Sequence, residues 1–117
     1  MLADGTCDLS NVLFADDTHV MLEGLMRLGF HLVIDHDART VRVSGRGGHI
    51  DRSEAEIFCG NSGTTARLMA GIVAALPFAT RFIGDPSLSR RPMRRVAAPL
   101  EAMGARFEFG GARDRLP

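Results

Sequence analysis

Apolar residues recur at helical spacing in one early stretch of the chain. Val20, Met21 and Leu25 lie within it, and the pattern predicts a helix from about Thr18 to Leu28. The segments "FHLVID" (30–35) and "TVRVSG" (40–45) then alternate apolar and polar residues on either side of "HDAR". Such alternation around a short polar segment predicts a β-hairpin.

Residues that favour helix ends stand on both sides of the predicted helix. Asp16 or Asp17 is expected to be the N-cap, because a short polar side chain there accepts a free backbone N–H. Gly29 is expected to end the helix, since glycine adopts the left-handed conformation that stops one. The adjacent aspartates point to different faces, which favours capping over a carboxylate pair.

The second half alternates strand and helix patterns. "AEIFCG" (55–60) and "ATRFIG" (79–84) are predicted strands, and "TTARLMAGIVAAL" (64–76) between them is a predicted helix. A last helix is expected from about Arg91 to Met103, with Pro92 in its first turn and Gly104 after its end. Pro99 predicts a kink or a break inside that helix.

A short internal echo links the two halves. "LMRLGFHLVI" (25–34) and "LEAMGARFEF" (100–109) both read as a helix end, a glycine and an alternating strand, so "ARFEF" (105–109) is a predicted strand. The similarity between these two segments is either a partial internal repeat or the common sequence pattern by which helices end at a glycine. The tail from about 110 to 117 is expected to be frayed. Mixed helices and strands with a hairpin predict an α/β or α+β fold.

Composition and charge argue against some classes of function. The chain has 117 residues, 45% hydrophobic content and zero formal net charge, which predict one domain and give no global attraction to nucleic acid or membranes. All 14 basic residues are arginine, so lysine chemistry is absent from this chain. Two separated cysteines and no leader or spanning segment favour the cytoplasm.

The stretch "GNSGTTARLM" (60–69) joins a predicted strand to a predicted helix. Free N–H groups at a helix start favour an anion, and Gly60 and Gly63 permit close approach of the backbone. The stretch lacks both the Walker A lysine and the G-x-G-x-x-G spacing. The other interpretation is that Asn61 or Ser62 only caps the helix.

A second candidate is "GDPSLSRRPMRRV" (84–96), where four arginines straddle a helix start: Arg90, Arg91, Arg94 and Arg95. Positive charge is unfavourable at a helix N-terminus, which an anion between the guanidinium groups would offset. A solvated surface is the alternative. If the strands before the two candidates are neighbours in one sheet, both helix starts lie at one edge and Arg91 faces the Gly63 turn.

Other side chains give weaker signals. The four histidines share no metal-ligand spacing, so no metal or other cofactor is expected. Cys59 beside the turn is expected to be a buried structural residue rather than a nucleophile. Ser62, Thr64 and Thr65 lack an evident activating base and are interpreted as hydrogen-bond donors rather than nucleophiles.

Three segments, in this order and spacing, resemble the 5-enolpyruvylshikimate-3-phosphate (EPSP) synthase family: "LSNVLFADDTHVMLEGLMRLGF" (9–30), "GNSGTTARLMAGIVA" (60–74) and "FIGDPSLSRRPMRRVAAPLEAMGA" (82–105). The UDP-N-acetylglucosamine enolpyruvyl transferase family shares that fold but not the "GNSGTT" turn, and ranks second. The resemblance implies an inside-out α/β barrel domain built from βαβαββ units. It also implies enolpyruvyl transfer from phosphoenolpyruvate to the 5-hydroxyl of shikimate 3-phosphate, without a metal.

The resemblance also assigns site residues. The family binds phosphoenolpyruvate at the positions of Gly63 and Arg91, and Asn61, Thr64 and Arg67 occupy positions that line the same pocket. The family's chains are several times longer, and their substrate-binding lysine segment and acid-base residues have no counterpart here. The chain is therefore expected to be a fragment, 1–117, of the N-terminal domain, inactive alone and completed by the remaining polypeptide. A stand-alone, non-catalytic anion-binding module is the competing hypothesis.

Overall fold

A computed structural model of the chain describes residues 2–51, 53–110 and 114–117. Helices and strands are mixed through these ranges, which agrees with the predicted α/β (α+β) class. The elements are β1 (Asp4–Leu9), α1 (Asp16–Arg27), β2 (His31–Asp35), β3 (Thr40–Arg46), β4 (Glu54–Gly60), α2 (Gly63–Val73), β5 (Ala79–Gly84), a 3-10 turn (Leu88–Arg90) and α3 (Arg94–Ala102). None of the helices in these ranges is long and apolar enough to cross a membrane.

Helix α1 ends at the predicted glycine. Gly29 has φ +93°, and its N–H donates to Met26 O over 2.9 Å while Phe30 N donates to Leu25 O over 3.1 Å. These two bonds form a Schellman motif, in which a left-handed residue lets the N–H groups after the helix donate to carbonyls of its last turn. The sequence-based helix end is confirmed.

The start of α1 differs from the expectation. Neither Asp16 nor Asp17 is the N-cap, because both lie in the first helical turn and Ala15 holds the cap position. The Thr18 hydroxyl accepts from Ala15 N over 3.2 Å and donates to Leu13 O over 2.6 Å, so it organises the entry to the helix. The two carboxylates instead favour the helix through its dipole.

The last helix begins later than predicted. Arg91 is extended, with φ −82° and ψ 134°, and α3 starts only at Arg94. The ring of Pro92 disfavours the helical conformation in the residue before it, which explains why the helix does not start at Arg91. Pro99 lies inside α3 without breaking it, and the kink expected there stays a prediction.

The two similar segments, 25–34 and 100–109, share the way their helix ends but not the strand that was expected after it. Gly104 has φ +102° and ends α3 with the same pair of hydrogen bonds, from Gly104 N to Glu101 O and from Ala105 N to Leu100 O. The strand predicted at 105–109 is wrong, since these residues form no strand. The segment after Gly29 is a strand because β3 pairs with it, whereas no described segment forms a ladder with 105–109.

Five strands of the described chain form two sheets. The predicted hairpin is confirmed as β2 and β3, and β1 pairs with the other edge of β3, so the order is β1-β3-β2, all antiparallel. Strands β4 and β5 pair in parallel, with Ile57 opposite Phe82 and Gly60 opposite Gly84. Because the two strands are parallel neighbours, their carboxyl ends meet at one edge.

The core lies where α1 and α2 pack on β4. Leu28, Ile57 and Met69 are fully buried there. Gly24 in α1 permits the close approach, because a Cβ at this residue would lie 2.7 Å from the Met69 sulfur and 3.1 Å from an Ile57 methyl group. The strand–turn–helix between β4 and α2 is therefore fixed against the core on its inner side.

The end of the chain returns to the start of α3. Met93 N donates to Asp114 O over 2.8 Å, and the Ser89 hydroxyl donates to Pro117 O over 2.9 Å. Leu116 packs against the core. Residues 111–113 of the tail that was expected to fray lie outside the described residues.

Candidate functional site

The turn between β4 and α2 is capped by a serine. Gly60 has φ +52°, and Ser62 N donates to Cys59 O over 2.8 Å to close the turn. The Ser62 hydroxyl accepts from Thr65 N over 3.0 Å and donates to the Thr65 hydroxyl, which in turn donates to Asp17 O. The capping interpretation is confirmed for Ser62, and the cap ties the start of α2 to the start of α1.

The serine cap leaves two backbone N–H groups at the start of α2 without an acceptor among the described residues. Gly63 and Thr64 are the first two residues of α2, and neither backbone N–H donates to an acceptor of the described chain. Both groups carry the positive end of the helix dipole. Capping and anion binding are therefore compatible at this turn, since the cap satisfies Thr65 N and leaves two donors for a ligand.

The turn after β5 lies against the turn after β4. Asp85 N donates to Gly60 O over 2.8 Å, which joins the ends of the two strands. Arg91 reaches across them, and its Nη2 donates to Asn61 Oδ1 over 2.8 Å. A Cβ at Gly63 would lie 3.2 Å from Arg91 Nη1, so this second nitrogen faces the helix start. The expectation that Arg91 faces the Gly63 turn is confirmed.

These elements enclose an open pocket of about 720 Å³. All five residues assigned from the sequence line it: Asn61, Gly63, Thr64, Arg67 and Arg91. The wall also includes Asp85, two further residues of the turn after β4, and four residues at the start of α1: Gly60, Ser62, Ala15, Asp16, Asp17 and Val20. The N-termini of α1 and α2 thus open on the same pocket, which concentrates positive backbone dipoles there.

Two guanidinium groups meet over Gly63. A Cβ at this residue would lie 2.7 Å from Arg67 Nη1 as well as close to Arg91 Nη1. Neither arginine forms an ion pair within the described part of the chain, although Asp16, Asp17 and Asp85 line the same pocket. The two like charges therefore face the pocket without a carboxylate partner within 4 Å.

The four arginines at positions 90, 91, 94 and 95 do not form one cluster in the structure. Arg94 points away from the pocket and pairs with Glu101 at 2.9 Å and Asp114 at 3.9 Å. Arg90 and Arg95 do not line the pocket. Of the four arginines, only Arg91 belongs to the site, because the extended conformation before Pro92 turns it toward β4.

Sequence reasoning missed the contribution of α1. Asp16 and Asp17 were interpreted as capping residues, yet both line the pocket. No local signal marks them as neighbours of a turn more than 40 residues away. Their place depends on the packing of α1 against β4 and α2, which the hydrophobic pattern indicates only as a buried helix face.

Other candidate groups are accounted for. Cys59 is fully buried, and burial raises the pKa of its thiol to about 11, so the expectation of a structural cysteine is confirmed. His19 and His36 pack around the Phe14 ring, with ring centroids 5.9 and 4.4 Å from it. Among the described residues, no group of three or more His, Cys, Asp and Glu side chains could hold a metal.

The chemistry of the pocket is that of an anion site. It offers two backbone N–H groups that have no acceptor among the described residues and two guanidinium groups that form no ion pair among them, although three aspartates line the same pocket. Phosphate and carboxylate oxygens accept such hydrogen bonds well, and guanidinium groups bind them in a bidentate manner.

Comparisons with known proteins identify the family of the chain. The family model of EPSP synthase (3-phosphoshikimate 1-carboxyvinyltransferase) matches residues 1–116. The chain is 41% identical over 116 residues to the 3-phosphoshikimate 1-carboxyvinyltransferase of Caldicellulosiruptor saccharolyticus and 42% identical over 117 residues to that of Thermodesulfovibrio yellowstonii. These matches cover 99% of this chain and 26% and 27% of the relatives.

A solved structure supports the same relationship. The EPSP synthase of Acinetobacter baumannii superposes with a TM-score of 0.89 at 33% identity, over 98% of this chain and 26% of that one. The chain thus spans about a quarter of the length of the relatives that it matches. With a family match over 1–116 and this superposition, the chain belongs to the EPSP synthase (3-phosphoshikimate 1-carboxyvinyltransferase) family.

Proposed function

We propose that this chain supplies the phosphoenolpyruvate-binding part of an EPSP synthase active site. The reaction is transfer of an enolpyruvyl (carboxyvinyl) group from phosphoenolpyruvate to the 5-hydroxyl of shikimate 3-phosphate. One observation carries the proposal: Arg91 Nη1 faces the first residue of α2, where two backbone N–H groups have no acceptor in the described chain. An anionic group fits between them.

Phosphoenolpyruvate suits the pocket because it carries both a phosphate and a carboxylate. One anionic group accepts hydrogen bonds from Gly63 N, Thr64 N and Arg91 Nη1, and Arg67 lies close enough to contact the same group or its neighbour. Hydrogen bonds to charged groups contribute about 1.5–3 kcal/mol each, so the loss of one changes affinity about tenfold or more.

The rest of the reaction requires groups from outside this chain. No lysine is present, and the relatives are about four times as long, since the chain covers 26% of the first of them. We propose that the remaining polypeptide supplies the shikimate 3-phosphate site and the acid-base groups, so this chain alone does not turn over. Both cysteines are free thiols, which supports a place in the cytoplasm.

Binding is tested on the 117-residue chain itself. Titration with phosphoenolpyruvate, followed by NMR, is expected to shift the backbone amide signals of Gly63 and Thr64 first. Arg91→Gln is expected to weaken binding at least about tenfold. Arg95→Gln is the matched control, because it removes the same charge from an exposed residue of the same segment that does not line the pocket. Equal loss in both variants would overturn the site assignment.

Catalytic competence is tested in a chimera. The chain replaces the corresponding segment of the Caldicellulosiruptor saccharolyticus relative, and enolpyruvyl transfer is measured. Activity that Arg91→Gln abolishes and Arg95→Gln keeps supports the proposal. A folded chimera without activity, together with a chain that still binds phosphoenolpyruvate, would favour the stand-alone anion-binding module instead.

A further inference from the structure

The Arg91 guanidinium uses its two terminal nitrogens differently. Nη2 donates to Asn61 Oδ1 over 2.8 Å, whereas Nη1 lies 3.2 Å from the place of a Cβ on Gly63. A guanidinium is planar and rigid, so holding one terminal nitrogen restricts the positions that the other can take. The contact with Asn61 therefore restricts where Nη1 points.

Asn61 is itself held in place by its neighbours. Gly60 before it is in the left-handed conformation and accepts a hydrogen bond from Asp85 N, and Ser62 after it is the buried N-cap of α2. The side chain of Asn61 is exposed, so it has no packing role in the core. Its position on a fixed turn suits an acceptor that must lie at a constant distance from the helix start.

The chemical nature of the acceptor matters as much as its position. An amide oxygen accepts from Arg91 without adding charge, so the guanidinium keeps its full charge for a ligand. A carboxylate at the same place would bind the arginine in a bidentate manner and compete with the ligand. The three aspartates that line the pocket form no ion pair with Arg91, which agrees with a site that keeps this charge available.

We propose that Asn61 is a positioning residue: its neutral amide oxygen holds Arg91 Nη2 and aims Nη1 at the anion bound by the start of α2. The ligand part of this inference rests on the proposed function, whereas the orientation of Arg91 does not. The two parts can be measured separately on the 117-residue chain.

Orientation is measured without any ligand. Rotation about the Arg91 Nε–Cζ bond, followed by side-chain ¹⁵N NMR, is expected to be restricted in the parent chain and free in Asn61→Leu. Arg95 serves as an internal reference, since it is exposed and forms no ion pair in the described chain. Rotation of Arg91 as free as that of Arg95 in the parent chain would overturn the proposal, whether or not phosphoenolpyruvate binds.

Charge is tested with Asn61→Asp and Asn61→Gln, with phosphoenolpyruvate as the probe. Asn61→Asp is expected to raise the melting temperature, because a carboxylate near a helix N-terminus and beside an arginine is favourable, while it weakens binding at least about tenfold. Asn61→Gln keeps an amide oxygen and is expected to retain more affinity than Asn61→Leu. A residue with only a structural role would change stability and affinity in the same direction, so unchanged or tighter binding in Asn61→Asp would contradict the proposal.

The two proposals fail in different ways. If Arg91 is restricted but phosphoenolpyruvate leaves the Gly63 and Thr64 amides unchanged, the proposed function is wrong and the orienting role of Asn61 stands. If phosphoenolpyruvate binds and Asn61→Leu alters neither Arg91 rotation nor affinity, the positioning role is wrong and the proposed function stands.

Discussion

The two sheets of this molecule differ in how much of their surface is buried by packed helices. Strand β4 lies under α1 and α2, and Ile57 and Cys59 in it are fully buried. In the β1-β3-β2 sheet, Val41 is the one residue among the described positions that is buried, and all six residues of β1 are exposed. The pocket lined by Asn61, Gly63 and Arg91 lies beside β4, α1 and α2, which we call the first region, where the turn after β4 is fixed against the core.

The difference shows where preorganisation comes from. A bound anion requires N–H groups at fixed positions, and the close packing of α1, α2 and β4 provides them. The three-stranded sheet depends on its backbone ladder and on exposed pairs such as Asp8 with Arg42. That hydrogen-bonded pair lowers the pKa of Asp8, but exposed ion pairs contribute little to stability because water screens them.

The largest expected effect comes from a cavity in the first region. Ile57→Ala is expected to lower the free energy of unfolding by about 2–5 kcal/mol, since the residue is fully buried and its removal leaves a void. Val33→Ala in β2 is the matched control, because Val33 is 52% exposed, and it is expected to cost less than about 1 kcal/mol. Urea unfolding measures both, and equal costs would show that the two regions are equally packed.

Alkaline pH provides a second comparison, through the two cysteines. The pKa of Cys59 in the fold is about 11 against an ordinary value of 9.0, so stability from this thiol is complete below pH 9 and is lost as pH rises toward 11. The expected decline is roughly 1–3 kcal/mol, because one pKa unit corresponds to about 1.4 kcal/mol. The chain has neither tyrosine nor lysine, which would otherwise titrate in this range.

Two variants serve as controls for that decline. Cys59→Ala is expected to remove the pH dependence, whereas Cys7→Ala in exposed β1 is expected to leave it. Labelling with a thiol reagent at pH 8 is expected to modify Cys7 at least about a hundredfold faster than Cys59, because Cys59 reacts only after local opening. Similar labelling rates would show that β4 opens as readily as β1.

The smallest expected effect separates two glycines of α2. A Cβ at Gly63 would lie 2.7 Å from Arg67 Nη1 and 3.2 Å from Arg91 Nη1, so Gly63→Ala displaces flexible guanidinium groups rather than backbone. Phosphoenolpyruvate affinity is expected to fall about fivefold, or about 1 kcal/mol. Titration followed by NMR measures it.

Gly71→Ala is the matched control in the same helix. A Cβ there meets nothing within 4 Å, so this change is expected to leave affinity unchanged. It is also expected to raise stability by about 0.5–1 kcal/mol, because alanine is the better helix former. Weaker binding in both variants would attribute the effect of Gly63→Ala to the helix rather than to the pocket.

Features within a few residues of one another were predictable from the sequence. The ends of α1 and α3 at Gly29 and Gly104, the β2–β3 hairpin and the strand–turn–helix around Gly63 all follow from local conformational preferences. Two wrong predictions, the start of the last helix and the strand at 105–109, also have physical causes: a local backbone restriction for the first and a missing strand neighbour for the second. Arg91 is extended because Pro92 follows it, and 105–109 form no strand because a strand requires a neighbour that no described segment provides.

The sequence by itself determined which groups can bind an anion: a glycine-bearing helix start, its serine cap and a nearby arginine. Tertiary structure decided which of them meet. It brought Arg91 to Asn61 and placed the start of α1 beside the pocket. The reason is physical, because backbone preferences act over a few residues, whereas contacts between residues 30 or more apart exist only after β4 and β5 pair and the helices pack on them.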